Sequence, residues 1–362
     1  MAYTTIDDPS AHFKVQLYTG NGSANNAITF DDTDTDMQPD LVWIKNRDAT
    51  DSHCLFDVVR GATKLLSADL GSDDGTAAET TDTDTLDSFA SDGFQVDADV
   101  KVNTSSEKYV AWCWKGANGT ASNTSGTLTT TVSANTTSGF SVVGYTLGSG
   151  SGSSTQGHGL GIAPHLILHK SRANTYNWSV YHHENTANPE TDRLLLNETT
   201  ATGDVSQPWN DTAPTSTLFT HGDNSWNGAG TAISYCFSAI QGFSKFGSYE
   251  GTGNADGQFV FTGFRPAFLM TKSIDSTSSW HIFDNKRHGF NRNSDGTPES
   301  TGNDPLVAEA NTAEATTDMV DLLSNGFKFR IATDPNVAET YVYAAFAEAP
   351  FVNSEGVPCN AR

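Results

Sequence analysis

Three segments of the chain share one design: PDLVWIK (Pro39–Lys45), PHLILHK (Pro164–Lys170) and PAFLMTK (Pro266–Lys272). Each starts on proline, runs through apolar residues and closes on lysine. Self-similarity of this kind constrains a fold more than any single motif, because each copy must form the same supersecondary unit. The likeness continues at fixed offsets. His53, Trp178 and Trp280 occupy one equivalent position, and Phe56, Tyr181 and Phe283 the next. Arginine follows at Arg60 and Arg287, where the second copy has Asn185. Upstream, aromatic strands end at Tyr18, Tyr145 and Tyr249 and run into Gly/Ser/Asn turns. Downstream come Phe94, Phe219 and Phe327, then Asn103, Asn227 and Asn336, then the apolar strands YVAWCWK, AISYCFSAI and YVYAAFAEAPF.

These offsets divide the chain into three homologous units: 11–116, 137–240 and 241–349. The polar stretch 117–136 reads either as a linker or as a Thr-rich strand, and 350–362 as a C-terminal tail. Within each unit, aromatic and β-branched residues alternate with polar ones, and the turns carry Gly, Asn and Asp. The pattern predicts an all-β fold of three tandem antiparallel β-sandwich, jelly-roll-like units with few short helices. Helical turns are expected near 58–66 and 318–324. Units two and three abut directly at AIQGFSKF and are expected to pack as a rigid pair. A closed pseudo-threefold of all three would need an apolar face between units. Proline fixes the start of each repeated strand. The lysine is expected to emerge into solvent at its end. Shared residues, His53, Trp178 and Trp280 among them, are expected in the core.

Acidic residues outnumber basic ones 43 to 20, and the net charge is −23. Such a balance opposes nucleic acid, whose phosphates need clustered Lys and Arg, and anionic membranes. It suits a surface exposed to salt water. The opening MAYTTIDDPS has neither a basic n-region nor an apolar h-region, so synthesis in a cytoplasm without signal-led export is expected. No stretch approaches the ~18 apolar residues of a membrane span. Cys54, Cys113, Cys236 and Cys359 have no CxxC spacing and are expected as free thiols.

Candidate chemistry is sparse. The acidic runs Asp31–Asp36 and Thr81–Asp87 place carboxylates at spacing two, which one strand face could offer to calcium. A solvated acidic turn is the preferred reading of both. Asn291–Gly296 resembles the start of an EF-hand loop but has Gly302 where the bidentate glutamate belongs. His182-His183-Glu184 lacks zincin spacing, and His165 and His169 lie four apart in a predicted strand. The Gly-rich Gly148–Gly161 lacks phosphate-binding spacing, and no nucleophile elbow occurs. No catalytic residue, metal or cofactor is expected. A glycosidase pair needs no local motif and stays open. Trp209 (SQPWND) and Trp226 (DNSWNG) stand in turn-like polar sequence without counterparts in the other units. They are the expected exposed contacts.

The segments LYTGNGS, QPDLVWIKNRD, FDVVRG, VAWCWK, GHGLGIAPHLILHKS, YCFSAIQGFSKFGSYEGTGNADGQFVFTGFRPAFLM, LLSNGFKFR and the terminal NAR resemble a family of repeat-built virion proteins. That family is encoded by marine tailed bacteriophages of the cyanophage and pelagiphage type. The resemblance spans nearly the whole chain. It implies a structural, capsid-decoration or tail-fibre-like role, a virion location, other virion proteins as partners and a homo-oligomer such as a trimer. It carries no catalytic motif. The second expectation is a receptor-binding module for host-surface glycan, and the third a glycan depolymerase.

Overall fold

The computed structural model describes residues 2–30, 35–72, 74–75, 78–149, 152–222, 228–287 and 304–359. Three large antiparallel sheets follow one another along the chain. The first orders its strands Phe13–Thr19, Lys108–Trp114, Leu41–Asn46, Cys54–Asp57, Lys64–Ser67, Thr80–Thr81. The third orders Ser244–Glu250, Thr340–Pro350, Phe264–Ser273, His281–Asp284, Leu306–Val307. The second has the same sequence of neighbours, Phe140–Leu147, Gly230–Phe237, Leu166–Ser171, Ser179–His182, Asp192–Leu195, Gly203–Asp204. It is extended beyond Phe140–Leu147 by Thr130–Asn135 and Ala121–Asn123. The stretch 117–136 thus supplies two strands, the Thr-rich one among them.

Each repeated strand lies inside its sheet, and all six residues of Leu41–Asn46 and of Leu166–Ser171 are buried. Burial on both faces explains the unbroken apolar runs. Alternation along the strand then sorts side chains between two cores. Val42 and Ile44 join Ile28, Phe56, Phe94 and Cys113 beneath the small sheet of Asn26–Thr29, Gly93–Val96 and Leu86–Ala90. Ile167 joins Tyr145, Phe219 and Cys236 beneath Ser154–Gly157 and Leu218–His221. In the third unit the covering sheet is Phe259–Phe261, Gly326–Phe329 and Val320–Leu323. Each unit is therefore a sandwich of one large and one small sheet.

The opposite faces meet in a core common to all three units. Trp43, Trp112 and Trp114 pack there with Leu166, Leu168, Phe237, Phe268 and Phe346. Trp114 contacts the rings of Phe237, Phe268 and Phe346 at 5.6–6.0 Å. The remaining void, about 10 Å³ among Leu41, Leu166 and Phe268, holds at most one water. Units two and three are thus no special pair. The apolar inter-unit face lies on the very strands that repeat.

Both helical expectations fail. Val320–Leu323 is a strand joined to Gly326–Phe329 through Ser324-Asn325, and the 58–66 stretch runs through a turn into the strand Lys64–Ser67. A short apolar run fits either period, and the Asn-Gly pair marks a hairpin. The described helix is Val100–Asn103, with two 3-10 turns at Pro9–Ala11 and Pro189–Thr191. Its Asp99 side chain accepts from Lys101 N at 2.8 Å.

Candidate functional site

Buried polar residues gather where one unit meets the next. His53 Nε2 lies 3.0 Å from Val307 O, Trp178 Nε1 donates to Ser67 O at 2.8 Å, and Trp280 Nε1 donates to Leu195 O at 2.8 Å. Each acceptor ends the same strand of the neighbouring sheet. His53 Nδ1 accepts from Trp43 Nε1 at 2.9 Å, which leaves Nε2 as the donor. First to third, second to first and third to second, the contacts close into a ring. The equivalent positions are buried, as the repeat predicts.

Two junctions are ionic and one is neutral. Between units one and two, the Asp57 carboxylate pairs with Arg60 and accepts from Tyr235 Oη at 2.8 Å. Glu79 then bridges Arg60 to Arg172, the latter at 2.7 and 2.8 Å. Between units three and one, Asp284 pairs with Arg287 at 2.6 Å and accepts from Trp112 Nε1 at 3.1 Å. Glu314 bridges Arg287 and Arg47 at 2.6 and 2.8 Å. Between units two and three the same positions hold His182, Asn185, Thr202, Ile274 and Ala344. There Thr202 Oγ1 donates to Asn185 Oδ1 at 2.6 Å, and His182 Nε2 meets Tyr343 O at 3.0 Å. Thr202 N still donates to Ile274 O at 3.0 Å, as Glu79 N does to Arg172 O and Glu314 N to Arg47 O. The charged groups are absent together. A buried cation without its carboxylate would cost several kcal/mol, so these positions are coupled.

The repeated lysines reverse the expectation of solvent exposure: Lys45, Lys170 and Lys272 are fully buried. Lys170 Nζ donates to Tyr176 O, and to Leu70 O of the first unit at 3.3 Å. Lys272 Nζ donates to Ser273 O at 2.8 Å, and to Thr199 O of the second unit at 3.2 Å. Lys45 Nζ donates to Asn46 O at 2.6 Å and Ala49 O at 3.1 Å. The adjacent unit covers each strand end, so the ammonium ties down backbone carbonyls instead of reaching water. Burial pushes Lys170 down to about 7 and Lys45 and Lys272 to about 8.

The histidines separate into structural sets. Tyr145 Oη lies 2.9 Å from His169 Nδ1 and 2.9 Å from Ser234 Oγ, and also bonds His221 Nε2. All four residues are buried in the second unit's own sandwich. Burial holds His169 well below its usual value and takes His221 to about 4. His165 belongs elsewhere, edge-on to His183 at 4.5 Å with Phe246 beside it. His165 and His169 therefore do not share a site. Among the described residues, no group of His, Cys, Asp or Glu is placed to hold a metal ion. Cys54, Cys113 and Cys236 are buried free thiols, and Cys359 is an exposed one.

Trp209 is 1% exposed, which overturns its assignment as a surface contact. It packs on Tyr181 and His221 at 5.8 and 5.7 Å, because the turn around it folds inward over the second sandwich. Trp226, Asn227 and Asn291–Gly296 lie outside the described residues. Among the described residues the exposed large aromatics are instead Phe259 and Phe261, at 43% and 50% exposure on the edge of the third small sheet. Val260 between them is buried, so the alternation turns both phenyl rings outward. Lys245 Nζ sits 5.5 Å from the Phe261 ring centre and donates to Phe261 O at 2.6 Å. Lys328, opposite Phe259, pairs with Asp256 at 2.6 Å. A side chain at Gly326 would come within 2.8 Å of the Phe259 ring, so glycine leaves that ring its place. The F-V-F alternation was the available signal. It fixed that two rings share a face, and not which face is solvent.

A protein-family model, described as a domain of unknown function (DUF7483), matches residues 8–350. The chain belongs to the DUF7483 family. The match runs from the first 3-10 turn to the end of the strand Thr340–Pro350, so the DUF7483 unit comprises all three sheets together. No curated protein and no solved structure matches.

Proposed function

We propose that this DUF7483 chain is a non-catalytic structural protein on the exterior of a marine bacteriophage particle, as capsid decoration or as a tail or fibre component. The observation that carries the structural reading is the use of the interior charges. Asp57, Arg60, Asp284, Arg287 and the three repeated lysines are all buried, and each has a structural partner already. They hold sheet to sheet. Among the described residues six buried cations are matched by six buried carboxylates, so the acidic excess of −23 lies on the rest of the chain. That favours a soluble part exposed to salt and opposes contact with packaged nucleic acid. The virion setting rests on the family resemblance of the sequence. Three like sheets around one core suit a pseudo-threefold block, standing on a threefold position alone or as a trimer.

Imaging of intact particles tests this reading. Density repeating over the shell supports decoration, and density confined to the tail vertex supports a fibre part. Absence of the chain from purified particles refutes the virion role. A second reading, recognition of host-surface glycan, is favoured by the outward pair Phe259 and Phe261, whose rings offer a flat apolar platform beside Lys245. Glycan-array binding that disappears in a Phe259→Ala, Phe261→Ala variant would establish it.

A further inference from the structure

The three large sheets each have one strand at the equivalent outer position, and the three edges are treated differently. In the first sheet that strand is Phe13–Thr19, paired among the described residues only with Lys108–Trp114. Lys115 N donates to His12 O at 2.9 Å and Gly20 N to Glu107 O at 2.8 Å. Those bonds set the phase of the ladder. Lys14, Gln16 and Tyr18 turn their backbone groups toward Lys108–Trp114, and Phe13, Val15 and Leu17 turn theirs away. In the second sheet the matching residues are Phe140, Val142 and Gly144. They face Asn135, Ser133 and Thr131 of the chain's own strand Thr130–Asn135. In the third sheet, Ser244 N donates to Ile240 O at 2.9 Å, and His183 Nε2 covers Phe246 O at 2.9 Å.

The first edge borders a cleft of about 410 Å³. It runs along Phe13, Val15 and Leu17, and its far wall is built from Ala267, Ala347 and Asn285 of the third unit. The volume lies within the ~300–1,000 Å³ typical of ligand sites. Asn285 stands where the second unit has the capping His183. Its Oδ1 is buried with no hydrogen-bond partner among the described residues. The alanines leave room for a backbone against the third sheet. A strand added here would continue the first sheet and extend the junction of units one and three. Thr130–Asn135 does this at the neighbouring junction, where Ser133 Oγ donates to Asp40 Oδ1 of the first unit at 3.0 Å.

We propose that the Phe13–Thr19 edge accepts an extended strand from another polypeptide, an uncharged segment alternating Thr or Ser with Val or Ala. Main-chain hydrogen bonds to Phe13, Val15 and the Leu17 amide hold it, Leu17 O already accepting from Gln16 Nε2 at 2.7 Å. Ala267 and Ala347 on the far wall leave room for small side chains, with Lys14, Lys286 and Glu348 also lining the cleft. The recess protects this edge from indiscriminate pairing, which a flat open edge would invite. The inference deepens the reading of the chain as a part of an assembly. It stands independently of whether that assembly is a virion.

The test uses the full chain and a synthetic peptide, TLTTTVSANT, the sequence of residues 127–136. Hydrogen exchange is followed at single-residue resolution. In the free protein, Val15 and Leu17 amides should exchange at least tenfold faster than Lys14 and Gln16. Saturating peptide should slow Val15 and Leu17 by a similar factor. A peptide with proline at the positions of Thr131 and Ser133 lacks the pairing donors and should have no effect. Val15→Pro removes an outward donor and spares the bonds to Lys108–Trp114, so it should abolish the response. If that variant fails to fold, the proline peptide decides. Val15 protected in the free chain, protection confined to Phe140–Leu147, or an equal response to the proline peptide would overturn the proposal. If particle imaging fails but the exchange result holds, the edge site stands and the virion reading falls.

Discussion

Lys170→Met should flatten the pH dependence of stability. In the folded chain, burial takes this lysine from the usual 10.5 to about 7. Between pH 7 and pH 9 the unfolded chain keeps the proton and the folded chain has largely released it. The unfolded state then binds more protons, so this lysine makes stability rise with pH over that window. The difference averages somewhat under one proton across two pH units. That corresponds to about 2 kcal/mol gained by the native sequence and not by the methionine variant. Lys45→Met and Lys272→Met, with folded values about 8, should each lose roughly 1.3 kcal/mol of the same rise. Burial raises the Cys54, Cys113 and Cys236 thiols, which lowers stability as pH rises toward their ordinary values. The quantity to compare is therefore native minus variant. The offset at a single pH also includes Tyr176 O and Leu70 O left without their donor, at about 1–3 kcal/mol each. Only the slope isolates the proton. Urea unfolding followed by tryptophan fluorescence at pH 7, 8 and 9 supplies it. A native-minus-Lys170→Met difference constant within about 0.5 kcal/mol would refute the buried-ammonium argument.

Asp284→Asn should cost about 1–3 kcal/mol in urea unfolding, since buried Arg287 loses one charged partner and keeps Glu314. His182→Asp places a carboxylate at the neutral junction beside Asn185 and Ala344, and should lower the melting temperature more than His182→Asn does. Trp209→Ala should destabilise by about 3–5 kcal/mol through the cavity it leaves, and a variant that melts normally would contradict its burial. Phe259→Ser with Phe261→Ser should shift stability by less than about 1 kcal/mol while weakening whatever contact that face makes, measured by sedimentation and glycan array.

Much of the architecture was legible because a strand's period of two and its proline, glycine and asparagine punctuation are local properties. The all-β class and the buried aromatic positions follow from them. Even small anchors were visible: Asn103 accepts from Asn21 N at 2.9 Å, and Asn336 from Thr252 N at 3.1 Å, each fastening the turn after its edge strand. Tyr18 and Tyr249 likewise donate to Val102 O and Pro335 O, both at 2.8 Å. Periodicity states which residues share a face. It does not state what distant segment covers that face. Packing of one unit on the next decided that Lys45, Lys170 and Lys272 are buried, that Trp209 turns inward and that Phe259 and Phe261 turn outward. It decided as well that the Phe13–Thr19 edge borders a cleft. Solvent exposure belongs to contacts between residues far apart in the chain, and those contacts exist only once the three sheets have closed around their common core.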